Sequence, residues 1–166
     1  TEPMLPMMNA ESVTPSATRR ARIMPVPVTA ASRRPVRFCS LFTRSTFRSY
    51  QEQVTTYQYW VSVYGREEAD RTSARPGHSE HQLGTTADLT SASVGYELAQ
   101  SFGDTPEGAW VRENAWKYGF VISYPVNGEP ITGYVWEPWH IRWLGVNTAQ
   151  AVVASGVSLT EWMAMA

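Results

Sequence analysis

The amino-acid sequence predicts a single α+β domain in which a small antiparallel sheet is flanked by helices. Three observations carry this expectation. Between 49 and 64, Tyr50, Val54, Tyr57, Val61 and Tyr64 recur at steps of three and four, the period of one helix face. Thr105-Pro106-Glu107 joins an N-cap hydroxyl, a proline at the first helical position and an acid near the positive end of the helix dipole, which marks another helix start. Two short apolar runs, 120–124 and 131–136, flank Asn127-Gly128, a strong turn signal between antiparallel strands. With 166 residues, 43% of them hydrophobic and 12% aromatic, the chain can bury one modest core.

The first 44 residues differ in kind from the rest. The net charge of -1 hides seven arginines and two glutamates in 1–44, against seven basic and thirteen acidic residues in 45–166. In 1–44, Pro, Ser and Thr interrupt every short apolar run and no period is sustained, so no structure is expected there. One reading is a tail whose basic patch touches anionic wall polymers or a membrane surface. The other is an aberrant, frame-shifted stretch of GC-rich coding sequence, in keeping with thirteen arginines and one lysine in the whole chain. The domain is therefore expected to occupy 45–166.

In chain order, a helix is expected from Ser49 to Tyr64, closed by Gly65, with Arg48 at its start. Ser73 to Gly84 is polar and broken by Pro76 and Gly77, as suits a loop that presents side chains. Ala87-Asp88-Leu89 enters a strand. The helix begun at Thr105 runs to Tyr118 and stops at Gly119. The 120–124 and 131–136 runs then form a hairpin whose second strand delivers Glu137 and His140. Asn147 is expected to cap a short helix through Ala154, and Ser158-Leu159-Thr160-Glu161 is a capping box for a last one.

Several chemistries find no support. There is no internal repeat, no phosphate-cradling glycine loop and no nucleophile elbow. Cys39 is the only cysteine, which excludes an internal disulfide and a cysteine-based zinc site. Nucleic acid is not an expected partner, because the basic residues sit in the tail while the rest is acidic. The longest apolar run is far below a secretory signal core or a membrane span, so export has to be inferred from elsewhere.

One chemistry does find its parts. Catalytic zinc takes three ligands of the histidine and carboxylate kind and keeps a fourth position open for water. His81, Asp88 and His140 can fill three such positions, and Glu137 is a spare carboxylate for proton transfer. Pro138 biases Glu137 away from helical geometry, so Glu137-x-x-His140 is not read as a helical zinc motif. A lone histidine is more often a surface or core residue than a ligand, and the His-x6-Asp spacing is common. The residues alone leave both readings open.

Four segments occur together in order: Phe47-Arg48-Ser49-Tyr50-Gln51-Glu52-Gln53, the run from Ala74 to Gly84 with Arg75-Pro76-Gly77-His78-Ser79-Glu80-His81, Glu113-Asn114-Ala115-Trp116-Lys117-Tyr118-Gly119-Phe120, and Glu137-Pro138-Trp139-His140-Ile141-Arg142. In these the chain resembles the VanY-type zinc D-alanyl-D-alanine carboxypeptidases, from about Ser45 to the C-terminus. The resemblance implies the fold that D,D-peptidases share with the hedgehog signalling domain. It implies Zn2+ held by His81, Asp88 and His140, with Glu137 as general base and acid. It gives Arg48 the substrate carbonyl and the oxyanion that develops on it, and it gives Ser79 and Gln53 contacts to substrate. Trp139 is expected to wall the site. Relatives commonly carry arginine where this chain has Ser123, which puts any contact of that arginine in doubt.

The function implied is removal of the terminal D-alanine from peptidoglycan stem peptides by metal-activated water. An L,D-carboxypeptidase, an L-alanyl-D-glutamate endopeptidase and a non-catalytic zinc-binding module are the rivals. The partner implied is the stem peptide, with membrane or wall association through a missing N-terminal anchor. A monomer acting outside the cytoplasmic membrane is expected.

Overall fold

The computed structural model describes residues 40–165, and at its centre four strands pair antiparallel in the order β1-β2-β4-β3. These are β1 (Phe42–Ser45), β2 (Thr86–Thr90), β3 (Phe120–Ile122) and β4 (His140–Trp143). Alternation along the strands sorts the side chains. Ala87, Leu89, Phe120, Ile122 and Ile141 pack on one face against Phe102, Val111 and Ala115. Val121, with the opposite sense, joins Ala149, Val152 and Leu159 in a second cluster. Asp88 and His140 also have the opposite sense and are paired in register on β2 and β4.

The helices follow the local chemistry. Ser49 and Glu52 form a reciprocal capping box that opens α1 (Tyr50–Tyr64), and Gly65 closes it. Arg48 thus lies just outside the helix, held by a backbone bond from its N–H to the carbonyl of His81. Gly65 also starts α2 (Arg66–Thr72), whose Glu67 and Glu68 sit in the first turn and Arg71 in the last. Thr105 caps α3 (Pro106–Asn114), which passes into a tighter 3-10 turn, Ala115–Tyr118, and stops at Gly119. Ser158 and Glu161 exchange capping bonds ahead of the last helix, Leu159–Met165.

Several expectations of local structure are corrected. The 131–136 run is not a strand: Pro130 opens a single helical turn, α4 (Glu129–Thr132), and Gly133 at φ 77 ends it. Asn127 does turn the chain, at φ 61, but β3 pairs with β4 instead of a hairpin neighbour. Glu137 and His140 are presented by a tight turn, with the His140 N–H on the Glu137 carbonyl, and His140 itself opens β4. Gly145, not Asn147, precedes α5 (Val146–Ser155), whose successor is α6 (Leu159–Met165). Last, β1 begins at Phe42, ahead of the boundary expected between 44 and 45. The remaining expectations for the N-terminal segment fall on residues 1–39, outside the described residues. Among the described residues no helix is long and apolar enough to cross a membrane.

Candidate metal centre and active site

Register brings the site together. Asp88 stands directly across from His140, so residues 52 positions apart share one cross-strand pair, and the turn that follows Ser79 swings His81 over them. One ligand atom from each of His81, Asp88 and His140 lies within 4.8 Å of the others, and all three residues are buried. His81 Nε2 is 3.2 Å from one Asp88 oxygen, and His140 Nδ1 is 3.1 Å from the other. His81 Nδ1 meets the backbone carbonyl of Thr46 at 2.5 Å, which turns Nε2 toward the cluster. Two imidazole nitrogens and a carboxylate oxygen, enclosed and converging, fit zinc and leave room for a further ligand.

Glu137 is the fourth member. Its carboxylate lies 3.6 Å from His140 Nδ1, outside hydrogen-bond distance, and the residue is 8% exposed. Burial pushes the Glu137 carboxyl up to about 8; His140 and Arg48 oppose the rise, and Asp88 and Glu80 add to it. A carboxyl tuned this high can accept and return a proton near neutral pH. Burial disfavours charge on His140 as well, but its bonds to Asp88 and Glu80 prevail and raise it to about 10.

Arg48 lines the same cleft, a space of about 110 Å³ shared with Ser79, Glu137, Tyr124, Tyr134 and Trp139. Its Nη1 donates to Gln53 Oε1 at 2.8 Å and its Nη2 to Ser45 Oγ at 3.2 Å. Two of five guanidinium N–H groups are thereby used within the described residues. Gln53 is fully buried, and its amide nitrogen donates to the Ala74 carbonyl at 2.6 Å and to Ser73 Oγ at 3.3 Å. Gln53, an expected substrate contact, is thus enclosed, and its oxygen holds Arg48. Ser79 is 7% exposed and sits at the lip of the 3-10 turn Glu80–Leu83. Trp139 walls the cleft and packs against the apolar face of the sheet. His78, beside this segment, is exposed and belongs to no metal cluster among the described residues.

Three residues were missed from the sequence. Glu80 reaches His140 and Arg142, and Arg142 follows His140 by two on β4, so strand alternation was the available signal for it. Tyr124 lies with its ring centroid 4.9 Å from that of His140, tilted by 37°, and burial, with the charges of Glu80 and Glu137, holds its hydroxyl far above its ordinary pKa. Its place beyond β3 gave no sign of this. Ser123, where an arginine was the common alternative, is buried and donates to Glu80 Oε2 at 2.6 Å.

A sheet and two adjoining turns that bring two histidines, an aspartate and a buried glutamate into one cleft define a protein built around a divalent metal. A family model described as VanY, D-alanyl-D-alanine carboxypeptidase, matches residues 28–146, and the chain belongs to that family. The match starts inside the segment expected to lack structure. YodJ of Bacillus subtilis (strain 168) is 44% identical over 118 residues, covering 71% of this chain and 43% of that protein. The LdcB LD-carboxypeptidase structure has a TM-score of 0.69 at 43% identity, over 74% of this chain and 57% of that one. A vancomycin-resistance D,D-pentapeptidase VanY solved with Zn(II) has a TM-score of 0.65 at 27% identity, over 75% of this chain and 72% of its own. The α+β fold expected from sequence is thus the one these peptidases share. The chain spans between 35% and 62% of the length of four curated relatives it matches.

Proposed function

We propose that this protein is a zinc-dependent D,D-carboxypeptidase that releases the terminal D-alanine from peptidoglycan stem peptides. The observation that carries the reading is the convergence of His81, Asp88 and His140 with a buried, unliganded Glu137 carboxyl in a cleft that also holds Arg48. His81 Nε2, an Asp88 oxygen and His140 Nδ1 would hold the zinc. When bound, it supplies a Lewis acid that acidifies water and polarises a carbonyl.

Each protein group then has a task. Glu137 takes the proton from the attacking water and hands it to the departing amine, which its raised pKa suits. Arg48, clamped by Gln53 and Ser45, aims its remaining N–H groups at the carbonyl oxygen as negative charge develops there. Ser79 offers a hydroxyl at the cleft edge to the peptide or its terminal carboxylate. Tyr124 and Trp139 keep the ligand side chains enclosed and strengthen every charge interaction within. Action on cell-wall peptide would take place outside the cytoplasmic membrane.

A second reading, an L,D-carboxypeptidase, draws on the 43% identity with the LdcB LD-carboxypeptidase. The metal set serves either bond. The deciding experiment measures D-alanine release from a stem pentapeptide ending in D-Ala-D-Ala and from the tetrapeptide, with zinc-loaded protein, a chelated control and Glu137→Ala. Release from the pentapeptide that needs both zinc and Glu137 supports the D,D reading. Release from the tetrapeptide alone overturns it in favour of L,D cleavage.

A further inference from the structure

Glu80 belongs to neither the metal set nor the proton-transfer pair, yet it is the most heavily bonded carboxylate beside the site. Its Oε2 lies 3.0 Å from His140 Nε2 and accepts from Ser123 Oγ at 2.6 Å. Its Oε1 accepts from Arg142 Nη1 at 2.7 Å. The side chain is 14% exposed, and Glu80 is the hydrogen-bond partner given to Arg142 among the described residues, while the buried Arg142 Nε has none. Each partner except His140 can only donate in this arrangement, so the carboxylate is held in place before the imidazole meets it.

We infer that Glu80 is a positioning residue that fixes the tautomer His140 adopts as a ligand: it accepts the Nε2 proton and so leaves the Nδ1 lone pair to the metal position beside Asp88. The inference rests on the zinc reading above. Its logic lies in the two nitrogens of one ring. A neutral imidazole carries its proton on one nitrogen and its lone pair on the other. An anionic acceptor at Nε2 draws the proton there, and partners of this kind raise the basicity of the other nitrogen toward a metal.

Arg142 makes the idea testable with a near-isosteric change. In Glu80→Gln the guanidinium, having only donors, claims the amide oxygen. The NH2 end then faces Ser123 and His140 Nε2 and turns that nitrogen into an acceptor. The ring proton moves to Nδ1, where it blocks the metal. Removing the guanidinium as well, in Glu80→Gln with Arg142→Met, frees the amide to rotate its oxygen back to His140.

Zinc affinity by competition with a chromophoric chelator, and long-range proton–nitrogen NMR of the ring nitrogens, decide the matter; only three histidines contribute signals. Glu80→Gln is expected to weaken zinc binding about 10- to 100-fold, and the double variant to recover most of that loss. Zinc-loaded wild type is expected to carry the His140 proton on Nε2. If wild type takes up no zinc, the metal reading falls and this inference with it. If wild type binds zinc and Glu80→Gln binds it equally well, or the double variant stays as weak as the single, the inference alone fails. Should Glu80→Gln not fold, the wild-type NMR decides alone, and absence of an Nε2 proton overturns the assignment.

Discussion

Replacing Glu137 with glutamine should stabilise the chelated protein, and by more as the pH rises. The wild-type carboxyl moves from 4.5 to about 8 on folding because it is enclosed. Between those values the native state binds the proton more tightly than the unfolded chain does, so stability falls as pH climbs through them and levels off above about 8. Against a permanently neutral side chain, the carboxyl costs about 1 kcal/mol at pH 5 and about 5 kcal/mol at pH 9. The glutamine variant therefore gains about 4 kcal/mol over wild type between the two conditions, on the order of 10 °C in melting temperature. Glu80, lowered to about 2, and Asp88, also lowered, bend the pH profile the other way at acid pH. They are present in both proteins and cancel in the difference. Urea unfolding of both proteins with chelator at pH 5 and pH 9 makes the measurement. Profiles that stay parallel would mean that the Glu137 carboxyl is solvated and the reasoning wrong.

Other perturbations read other parts of the site. Alanine at His81, Asp88 or His140 should abolish stoichiometric zinc, measured by metal analysis after dialysis, whereas Glu137→Ala should keep the metal and lose turnover. Arg48→Ala should lower kcat by about 10²- to 10³-fold, with Arg48→Lys failing to restore it because an ammonium lacks the planar fork. Gln53→Ala should lower kcat in the same direction through Arg48, without changing zinc content. In the scaffold, a Cβ at Gly103 would meet Trp136 ring carbons at 2.5 Å or less. Gly103→Ala should therefore destabilise by about 1–3 kcal/mol in chemical unfolding.

What the sequence made legible was what local chemistry decides. The Ser158/Glu161 capping pair and the Thr105-Pro106 start were readable because a hydroxyl, an acid and a proline act within four residues. The stretch from Ile131 to Trp136 reads as a hairpin arm because the Asn-Gly turn before it and its apolar run outweigh Pro130 and Gly133, which dictate a helical turn. The metal set was legible as residue types, and its mutual geometry waited on strand register, a long-range property. Gln53 shows the limit most clearly. Its amide bonds to Arg48, Ala74 and Ser73, partners that only tertiary placement brings to it.

The charge balance of the cleft gives a reason for a dication that does not depend on the ligand count. Asp88, Glu80 and Glu137 are three carboxyls packed around Arg48, Arg142 and two imidazoles. Without a metal, near neutral pH, two extra protons sit there: one on His140, raised to about 10, and one on Glu137, raised to about 8. Both are held by neighbouring negative charge or by burial that penalises its formation. A zinc ion brings the same two positive charges to the same spot and requires His140 to ligate as a neutral ring. Zinc uptake at pH 7 should then expel about two protons per chain, an exchange that leaves the cleft's net charge unchanged. Calorimetric titrations in two buffers of different ionisation enthalpy count them. A count near zero would mean that the carboxyls and imidazoles are already deprotonated before the metal arrives, and that the cleft tolerates its negative charge without a cation.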